Sequence, residues 1–361
     1  MLNKRYKFDG KPILQLNEIQ LESKKVVEDR IKSKEYTFEK VNCVVCNNSD
    51  FELLAEKDRY GLHVSTVICK ECGLLQTNPR MNQESYNKFY DTNYRKLYKG
   101  SEIATEEFFN FQKIHGKAIL DCIEQRTNER FRNKFVVEIG TGAGGILQTF
   151  KDNNNKVFGL DLGSEYINFG KKKGLDLNVG TIKKLKELKI KPDLIIYSHV
   201  LEHILNPYEE LKELRKYLKK DSLVYIEVPG VKDLKLNKSY NQDLLMYLQN
   251  AHVYHFSLET LKNITAKAGF SMLYGNERIG SIFRIGNINK NYKNDYKETM
   301  LFLRNLEEKR RNPFNLFRIK NKVLYSLVSL SKKTGTFEIA RKLFKIINNT
   351  KQHLYYTKLV S

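Results

Sequence analysis

The sequence predicts an α/β fold in which a mainly parallel sheet of seven strands is covered by helices on both faces. From residue 135 onward, short apolar runs alternate with amphipathic helical segments. Strands that are buried on both faces have this continuously apolar character, and the intervening helices allow them to run parallel. The predicted strands are 135–139, 156–161, 175–179, 193–198 and 222–228, followed by an antiparallel pair in FSMLYG and SIFRIG.

Changes in composition divide the chain into five segments. These are an N-terminal arm (1–35), a four-cysteine module (36–80), a helical connector (81–131), the α/β domain (132–286) and a basic helical region (287–361). The second helix of the connector is expected to begin near Ser101. Helical periodicity predicts that this helix buries one stripe, formed by Ile103, Phe108, Phe111, Ile114, Ala118, Ile119 and Cys122.

The net charge of +21 is concentrated near the C-terminus, where residues 287–361 contain 17 Lys and Arg against 5 Asp and Glu. Such a charge indicates either solvated surface lysines or an acidic partner: nucleic acid, an anionic membrane face or a phosphorylated substrate. Apolar stripes flanked by Lys and Arg after residue 313 suit helices that lie on an anionic bilayer, or an ordinary helical cap. With no apolar run long enough to span a bilayer and no secretory leader pattern, we expect a cytoplasmic protein, with peripheral contact at the inner membrane face as an option.

Four of the five cysteines form two CxxC pairs, Cys43 with Cys46 and Cys69 with Cys72. Two such turns can present four thiolates to one tetrahedral Zn²⁺, and four protein ligands leave no open position, so the metal would be structural. The alternative is two independent pairs of packed or redox-active cysteines. Cys122 is expected to be an ordinary buried thiol.

A glycine-rich loop, EIGTGAGG, follows the first predicted strand of the sheet and opens a helix. Gly140 and Gly142 permit a tight turn and close approach of a ligand, and the helix N-terminus offers free N–H groups. Asp161 ends the second strand, where its carboxylate can accept hydrogen bonds from ribose hydroxyls. The loop also satisfies the dinucleotide fingerprint GxGxxG. Glu138, however, favours a cationic sulfonium ligand, because a carboxylate beside a pyrophosphate would be repelled.

Together, EIGTGAGG, GLDLG, DLIIYSHVLEHI, IEVPG and AHVYHFSLETLKNITAKAGF resemble the ordered motifs of class I S-adenosylmethionine-dependent methyltransferases. The resemblance implies a Rossmann-like fold and S-adenosyl-L-methionine as the cofactor. Thr181 stands where that family often has an acidic residue facing the adenine. By the resemblance, the cofactor site consists of Glu138, Gly140, Thr141, Gly142, Gly144, Asp161, Leu162, Thr181, Ser198 and His199.

The cysteine segment resembles the N-terminal zinc-binding region of methyltransferases from bacterial sugar and cell-surface glycan pathways, of which sugar C-methyltransferases are the best known. This sequence departs from the C-methyltransferases in two ways. It lacks a further large α/β domain after the catalytic one, and it has Ala251 where they have a Glu before the His. The missing carboxylate favours oxygen or nitrogen methylation over carbon methylation.

Methylation of a hydroxyl requires removal of its proton, a task that suits histidine at neutral pH. His199 follows the fourth strand, and His203 would share its face if a helix continued from there. Each candidate has an alternative structural role. The catalytic candidates are His199, His203, His252 and His255, with Glu202 and Tyr254 as secondary candidates.

The sequence therefore predicts an S-adenosylmethionine-dependent methyltransferase that acts on a sugar. The sugar would be nucleotide-linked or part of a surface polysaccharide or lipid-linked glycan, and a histidine would act as general base in O-methylation. Three alternatives remain: an RNA methyltransferase that binds the phosphate backbone through the zinc module and the basic tail, a sugar C-methyltransferase, and a scaffold without turnover.

Overall fold

A computed structural model describes residues 1–99, 104–278 and 280–312, together with four isolated positions farther along the chain. Ser101, Ile103 and the two C-terminal apolar stripes lie outside these ranges, so the predictions made for them are not addressed. Within the described ranges, no helix has both the length and the apolar character that a membrane span requires.

The elements are numbered along the chain, and a π-helical turn (Tyr90–Tyr94) joins the second helix to the third. The helices are α1 (Glu18–Lys32), α2 (Gln83–Phe89), α3 (Arg95–Lys99), α4 (Glu106–Thr127), α5 (Gly145–Asp152), α6 (Ser164–Lys172), α7 (Lys184–Glu187), α8 (Pro207–Leu214), α9 (Leu244–Tyr247), α10 (Leu258–Lys267) and α11 (Tyr296–Arg311). The strands are β1 (Phe38–Glu39), β2 (Phe51–Lys57), β3 (His63–Cys69), β4 (Leu75–Thr77), β5 (Arg80–Met81), β6 (Phe135–Ile139), β7 (Lys156–Asp161), β8 (Leu177–Val179), β9 (Leu194–Ser198), β10 (Leu223–Glu227), β11 (Tyr254–His255), β12 (Phe270–Tyr274) and β13 (Gly280–Ile285).

The central sheet has seven strands in the order β12-β13-β10-β9-β6-β7-β8. The strands from β10 to β8 run parallel, whereas β13 pairs antiparallel with both β10 and β12. Side chains from the two faces enter two separate apolar clusters: Val137 and Ile195 belong to one, Val136 and Leu194 to the other. The predicted mainly parallel α/β sheet is therefore confirmed, and its closing pair is antiparallel as expected.

A second sheet of four antiparallel strands, β11-β4-β3-β2, carries the cysteine segment. Its edge strand β11 comes from the long segment that follows β10 of the central sheet, so two distant parts of the chain complete one sheet. Buried Arg80 strengthens this junction, because its guanidinium donates to the carbonyl of Leu205 and to the hydroxyl of Tyr254. The cysteine segment is thus fixed against the central sheet by both backbone pairing and a buried cation.

Helix α4 packs along α5, and the predicted stripe is confirmed in its second half, where Ala118, Ile119 and Cys122 are buried. In the first half the prediction is wrong, because Phe111 and Ile114 are exposed. The two helices approach each other closely at Gly116, where an added Cβ would lie 2.8 Å from the carbonyl oxygen of Ile146. Apolar periodicity could not reveal this contact, because the residue that makes it has no side chain.

We expect Gly116→Ala to destabilise the protein by about 1–3 kcal/mol, because overpacking between α4 and α5 outweighs the gain of about 1 kcal/mol in helix propensity. The measurement is urea-induced unfolding followed by circular dichroism. The adjacent exposed substitution Lys117→Ala is the control and should change stability by at most about 0.5 kcal/mol. Equal stability of Gly116→Ala and the native protein would contradict the packing described here.

Candidate functional site

The carboxyl ends of β6, β7, β9 and β10 meet at one edge of the central sheet, where ligands bind in open α/β folds. The glycine loop lies at this edge. Gly140 has a φ of 70°, and a Cβ there would lie 2.3 Å from Cγ2 of Val200, so only glycine fits. The carboxylate of Asp161 fixes the loop by accepting the N–H groups of Gly142 at 2.8 Å and Gly163 at 2.7 Å.

Glu138 lies beneath this loop and is fully buried. Its carboxylate accepts a hydrogen bond of 2.8 Å from the hydroxyl of Thr141. Burial raises the pKa of Glu138 well above its usual range, and the nearby charge of Asp161 adds to that effect. The structure thus shows Glu138 supporting the loop from below, while direct contact with a cofactor stays a prediction.

The other predicted cofactor residues surround the same edge. Gly144 caps the N-terminus of α5 in a left-handed conformation, Leu162 is exposed beside Asp161, and Thr181 is exposed after β8. Ser198, at the end of β9, donates to a carboxylate oxygen of Glu227 at 3.2 Å. The structure therefore brings these positions to one edge, and their contacts with a cofactor stay predictions.

Two residues of this edge were missed by the sequence analysis, because they come from helices far from the glycine motif. The side-chain amide of Gln112 donates to the carbonyl of Thr141 at 3.2 Å. The guanidinium of Arg95 lies 3.5 Å from the carboxylate of Asp161 and 3.6 Å from the ring centroid of Tyr166. Neither position carries a motif, so only the packing of the helices reveals them.

His199 follows β9 and has a left-handed backbone with a φ of 56°, which is unusual for a residue with a side chain. Its N–H donates to the carbonyl of Glu227 at 2.8 Å, which holds this conformation. The imidazole lies between two carboxylates: Nδ1 is 3.6 Å from Glu202 and Nε2 is 3.8 Å from Glu227. Its side chain is 52% exposed, so this histidine can meet a ligand from solvent.

Glu227, at the end of β10, forms a pair with His115 of α4, and their side chains are 2.7 Å apart. Burial alone would raise the pKa of Glu227, but the nearby His115 and His199 and the hydrogen bond from Ser198 lower it to about 2. Neither residue of the pair was predicted from the sequence. Glu227 is the last residue of β10, and β10 ends at the ligand-binding edge. Its place at the end of a strand could therefore have identified it.

Glu202 is deeply buried, with 1% of its side chain exposed and neither carboxylate oxygen in a hydrogen bond. Its Oε1 lies 3.6 Å, 3.8 Å and 3.9 Å from the imidazoles of His199, His203 and His252. The expectation that a continuing helix carries His199 and His203 is wrong, because the left-handed His199 is followed by a 3₁₀ turn at Leu201–His203. Both imidazoles nevertheless reach the same carboxylate.

His252, Tyr254 and His255 are buried where the segment before β11 meets the cysteine sheet. Burial, together with the neighbouring His203 and His255, lowers the pKa of His252 well below its usual value. Burial lowers the pKa of His255 to about 3. The hydroxyl of Tyr254 donates to the carbonyl of Leu205 at 2.8 Å, so it contributes to the junction between the two sheets. Catalytic roles for these three residues stay predictions.

The four cysteines converge on one point. The sulfurs of Cys43 and Cys72 are 3.4 Å apart, those of Cys46 and Cys69 are 3.5 Å apart, and all four lie within 4.8 Å of one another. Tetrahedral Zn²⁺ with bonds of about 2.3 Å requires sulfurs about 3.8 Å apart, so the cluster fits one such ion. Because each close contact joins one CxxC turn to the other, the geometry disfavours two independent pairs.

Residues 111–274 match a family model described as a methyltransferase domain. No curated protein matches the chain. Similar solved structures include the plantazolicin methyltransferase BpumL in complex with SAH (16% identity, 63% of this chain and 90% of that chain, TM-score 0.42) and the PH0226 protein from Pyrococcus horikoshii (15% identity, 55% and 98%, TM-score 0.40). The chain therefore contains a methyltransferase domain within a Rossmann-like fold, and the protein is an enzyme.

The buried His255 predicts that stability falls in mild acid. Its pKa of about 3 in the folded state lies below the ordinary 6.5, so its contribution is fully present above pH 6.5 and is lost as the pH falls towards 3. The free energy of unfolding should decrease by up to about 1.4 kcal/mol per pH unit for this histidine. Urea unfolding at about pH 7 and about pH 5.5 measures the slope, which His255→Phe should reduce.

The matched control for this pH dependence is His63→Phe, which removes an exposed histidine that stacks on Phe8. This substitution should leave the slope of the native protein unchanged. Identical slopes for His255→Phe and the native protein would contradict a neutral, buried His255.

Proposed function

We propose that this enzyme methylates a hydroxyl of a sugar that is linked to a nucleotide, a surface polysaccharide or a lipid. The observation that carries the proposal is the half-exposed imidazole of His199 at the carboxyl end of β9, flanked by the carboxylates of Glu202 and Glu227. An accessible imidazole between two carboxylates is suited to accept a proton, because both carboxylates stabilise the imidazolium that forms.

In the proposed reaction, the glycine loop and Asp161 would hold S-adenosylmethionine at the edge of the sheet. When bound, the cofactor would supply an activated methyl group for transfer from its sulfur to the acceptor oxygen. His199 accepts the hydroxyl proton, and Glu227, itself paired with His115, orients the imidazole. Much of the acceleration would come from positioning, since the reaction is a displacement between two bound groups.

A sugar acceptor is supported by buried polar groups of Glu202 and of the segment before β11 that have no hydrogen-bond partner. Both carboxylate oxygens of Glu202 lack a hydrogen-bond donor. The side-chain nitrogen of Asn250 and Nδ1 of His252 also have no hydrogen-bond partner. Buried polar groups are nearly always hydrogen-bonded in native proteins, so these atoms indicate a ligand. A ring with several hydroxyls both donates and accepts hydrogen bonds and therefore matches this mixture.

Methylation of a sugar carbon is the second candidate reaction, and the position of Glu202 bears on it. Ala251 removes the carboxylate that sugar C-methyltransferases have beside the histidine, but Glu202 reaches within 3.9 Å of Nε2 of His252 from another loop. A carboxylate thus lies beside the imidazole of His252 despite Ala251. We favour oxygen because the accessible imidazole is that of His199, and the ¹³C chemical shift of a transferred ¹³C-methyl group distinguishes an O-methyl from a C-methyl product.

We expect His199→Gln to lower kcat by about 100-fold to 10,000-fold, the usual contribution of a general base. Methyl transfer from labelled S-adenosylmethionine to a panel of nucleotide-linked and lipid-linked sugars, with a transfer RNA as the nucleic-acid alternative, measures this loss. In the native enzyme, kcat/KM should fall on the acidic side of the pH profile. This fall should be absent from His199→Gln, which lacks the base. Binding of S-adenosylhomocysteine, followed by calorimetry, should persist.

The control is His63→Gln, an exposed histidine outside the site, which should retain native activity. Native turnover in His199→Gln would contradict the assignment of the base. Methylation of the RNA but of no sugar would overturn the acceptor class. Absence of binding of both S-adenosylmethionine and S-adenosylhomocysteine would overturn the whole proposal.

We also propose that the four cysteines hold a structural Zn²⁺. Cys72→Ser should reduce the zinc content by one equivalent per chain and strongly lower the urea midpoint, because structural zinc contributes about 10 kcal/mol or more to folding. Elemental analysis and urea unfolding measure both effects. Cys122→Ser, in helix α4, is the control and should retain the metal. Equal zinc content in the two variants would refute the site.

A further inference from the structure

Several side-chain atoms without hydrogen-bond partners lie between the cysteine sheet and the central sheet: Nε of Arg59, both oxygens of Glu202, Nδ2 of Asn250 and Nδ1 of His252. Arg59 belongs to the turn between β2 and β3, whereas Asn250 and His252 precede β11. The set therefore spans the junction that β11 creates. Since leaving such groups unpaired is costly, the junction has the character of a binding site for a polar ligand.

The position of Arg59 is fixed by its buried neighbour, Asp58. The Asp58 carboxylate accepts the N–H groups of Tyr60 at 2.9 Å and Leu62 at 3.0 Å within the turn. It also accepts the N–H of Asn250 at 2.9 Å from across the junction. The backbone N–H of Arg59 donates to the carbonyl of Leu248 at 3.0 Å. The turn is thus attached to the segment before β11 and presents the guanidinium to it.

The side chain of Gln249 connects Arg59 to His252. A guanidinium only donates, so the amide oxygen of Gln249 faces Arg59, and its NH₂ group then donates to Nε2 of His252. The remaining proton of His252 must therefore be on Nδ1, which has no partner. This arrangement places an unused N–H donor and the unused carboxylate of Glu202, 3.9 Å from that imidazole, on the catalytic side of Arg59.

Arg59 lies against two aromatic rings, and its Cζ is 4.9 Å from the ring centroid of Tyr60 and 5.4 Å from that of Tyr98. Its Nη2 group donates to the hydroxyl of Tyr60 at 2.8 Å and to Gln249, whereas its buried Nε has no hydrogen-bond partner. Across the described parts of the chain, no carboxylate oxygen lies within 4 Å of this guanidinium. The unpartnered Nε–H of a guanidinium without a counterion suits an oxygen of phosphate.

We propose that Arg59 binds a phosphate group of the acceptor, so that the substrate is a phosphorylated sugar whose hydroxyls extend towards His252 and Glu202. That this ligand is the methyl acceptor rests on the proposed function. The binding of an anion by Arg59 is independent of it. The phosphate can belong to a nucleotide or to a lipid carrier, since both present the same diphosphate chemistry. In either case the cysteine segment takes part in substrate binding, because it supplies Arg59.

The test is a calorimetric titration of the full chain, saturated with S-adenosylhomocysteine, with inorganic pyrophosphate. The native protein should bind it saturably, and the affinity should fall as salt rises. Arg59→Gln should weaken the affinity by about tenfold or more, because a charge-assisted hydrogen bond is lost. Arg126→Gln is the matched control: this arginine also lies over a tyrosine ring, that of Tyr274, but is exposed at the end of α4, so binding should persist.

If Arg59→Gln fails to fold, a second variant tests the same contact. Gln249→Glu places a carboxylate against Arg59 as an internal counterion, so it should abolish pyrophosphate binding, and retained binding of S-adenosylhomocysteine shows that this variant is folded. Native affinity in either folded variant, or no saturable binding by the native protein, would overturn the proposal. Competition by uridine diphosphate or by geranyl diphosphate then identifies the source of the phosphate. Because the readout is binding, a failure here is distinguishable from failure of the proposed methyl transfer.

Discussion

The pairing of β11 with β4 is the interaction on which the candidate site depends. Tyr254 pairs with Gln76 and His255 pairs with Leu75, so two residues of the methyltransferase segment become the edge of the cysteine sheet. A strand of two residues is weak alone. Here Arg80 and the Asp58 carboxylate add buried hydrogen bonds on either side of it. The pairing places Arg59 and His252 in contact with the same glutamine, which neither sheet could do separately.

The second constraint is electrostatic and concerns Glu202. A carboxylate that is withdrawn from water without hydrogen bonds is strongly unfavourable unless neighbouring groups compensate. Three imidazoles surround Glu202, but burial lowers the pKa of both His203 and His252 and so disfavours their charged forms. His199, which is half exposed, is the partner of Glu202 that is open to solvent. In the proposed reaction it is also the residue that takes the proton of the acceptor.

Sequence patterns predicted the central sheet well because parallel strands have a strong local signal. The predicted strands 135–139 and 156–161 coincide with β6 and β7, and the CxxC spacing correctly indicated a four-sulfur cluster. The site was less predictable because its side chains come from elements far apart in the chain. His115 is a single histidine on a helix, and Arg59 occupies an ordinary turn. Each gains its role from one long-range contact, with Glu227 and Gln249 respectively, and no local pattern records such contacts.

The same long-range contacts separate the roles of histidines that look alike in sequence. His199 and His252 both lie beside Glu202, yet only His199 is open to solvent, and only His252 has its Nε2 lone pair engaged by an amide. A general base must release its proton after each turnover, and this requires water or another carrier. His252 is unsuited to this role. It is buried away from water, and its ring atom without a partner, Nδ1, carries a proton and so cannot accept one. In the proposed reaction it would instead donate a hydrogen bond to the acceptor that His199 deprotonates, so that the junction orients the acceptor and the exposed strand end carries out the proton transfer.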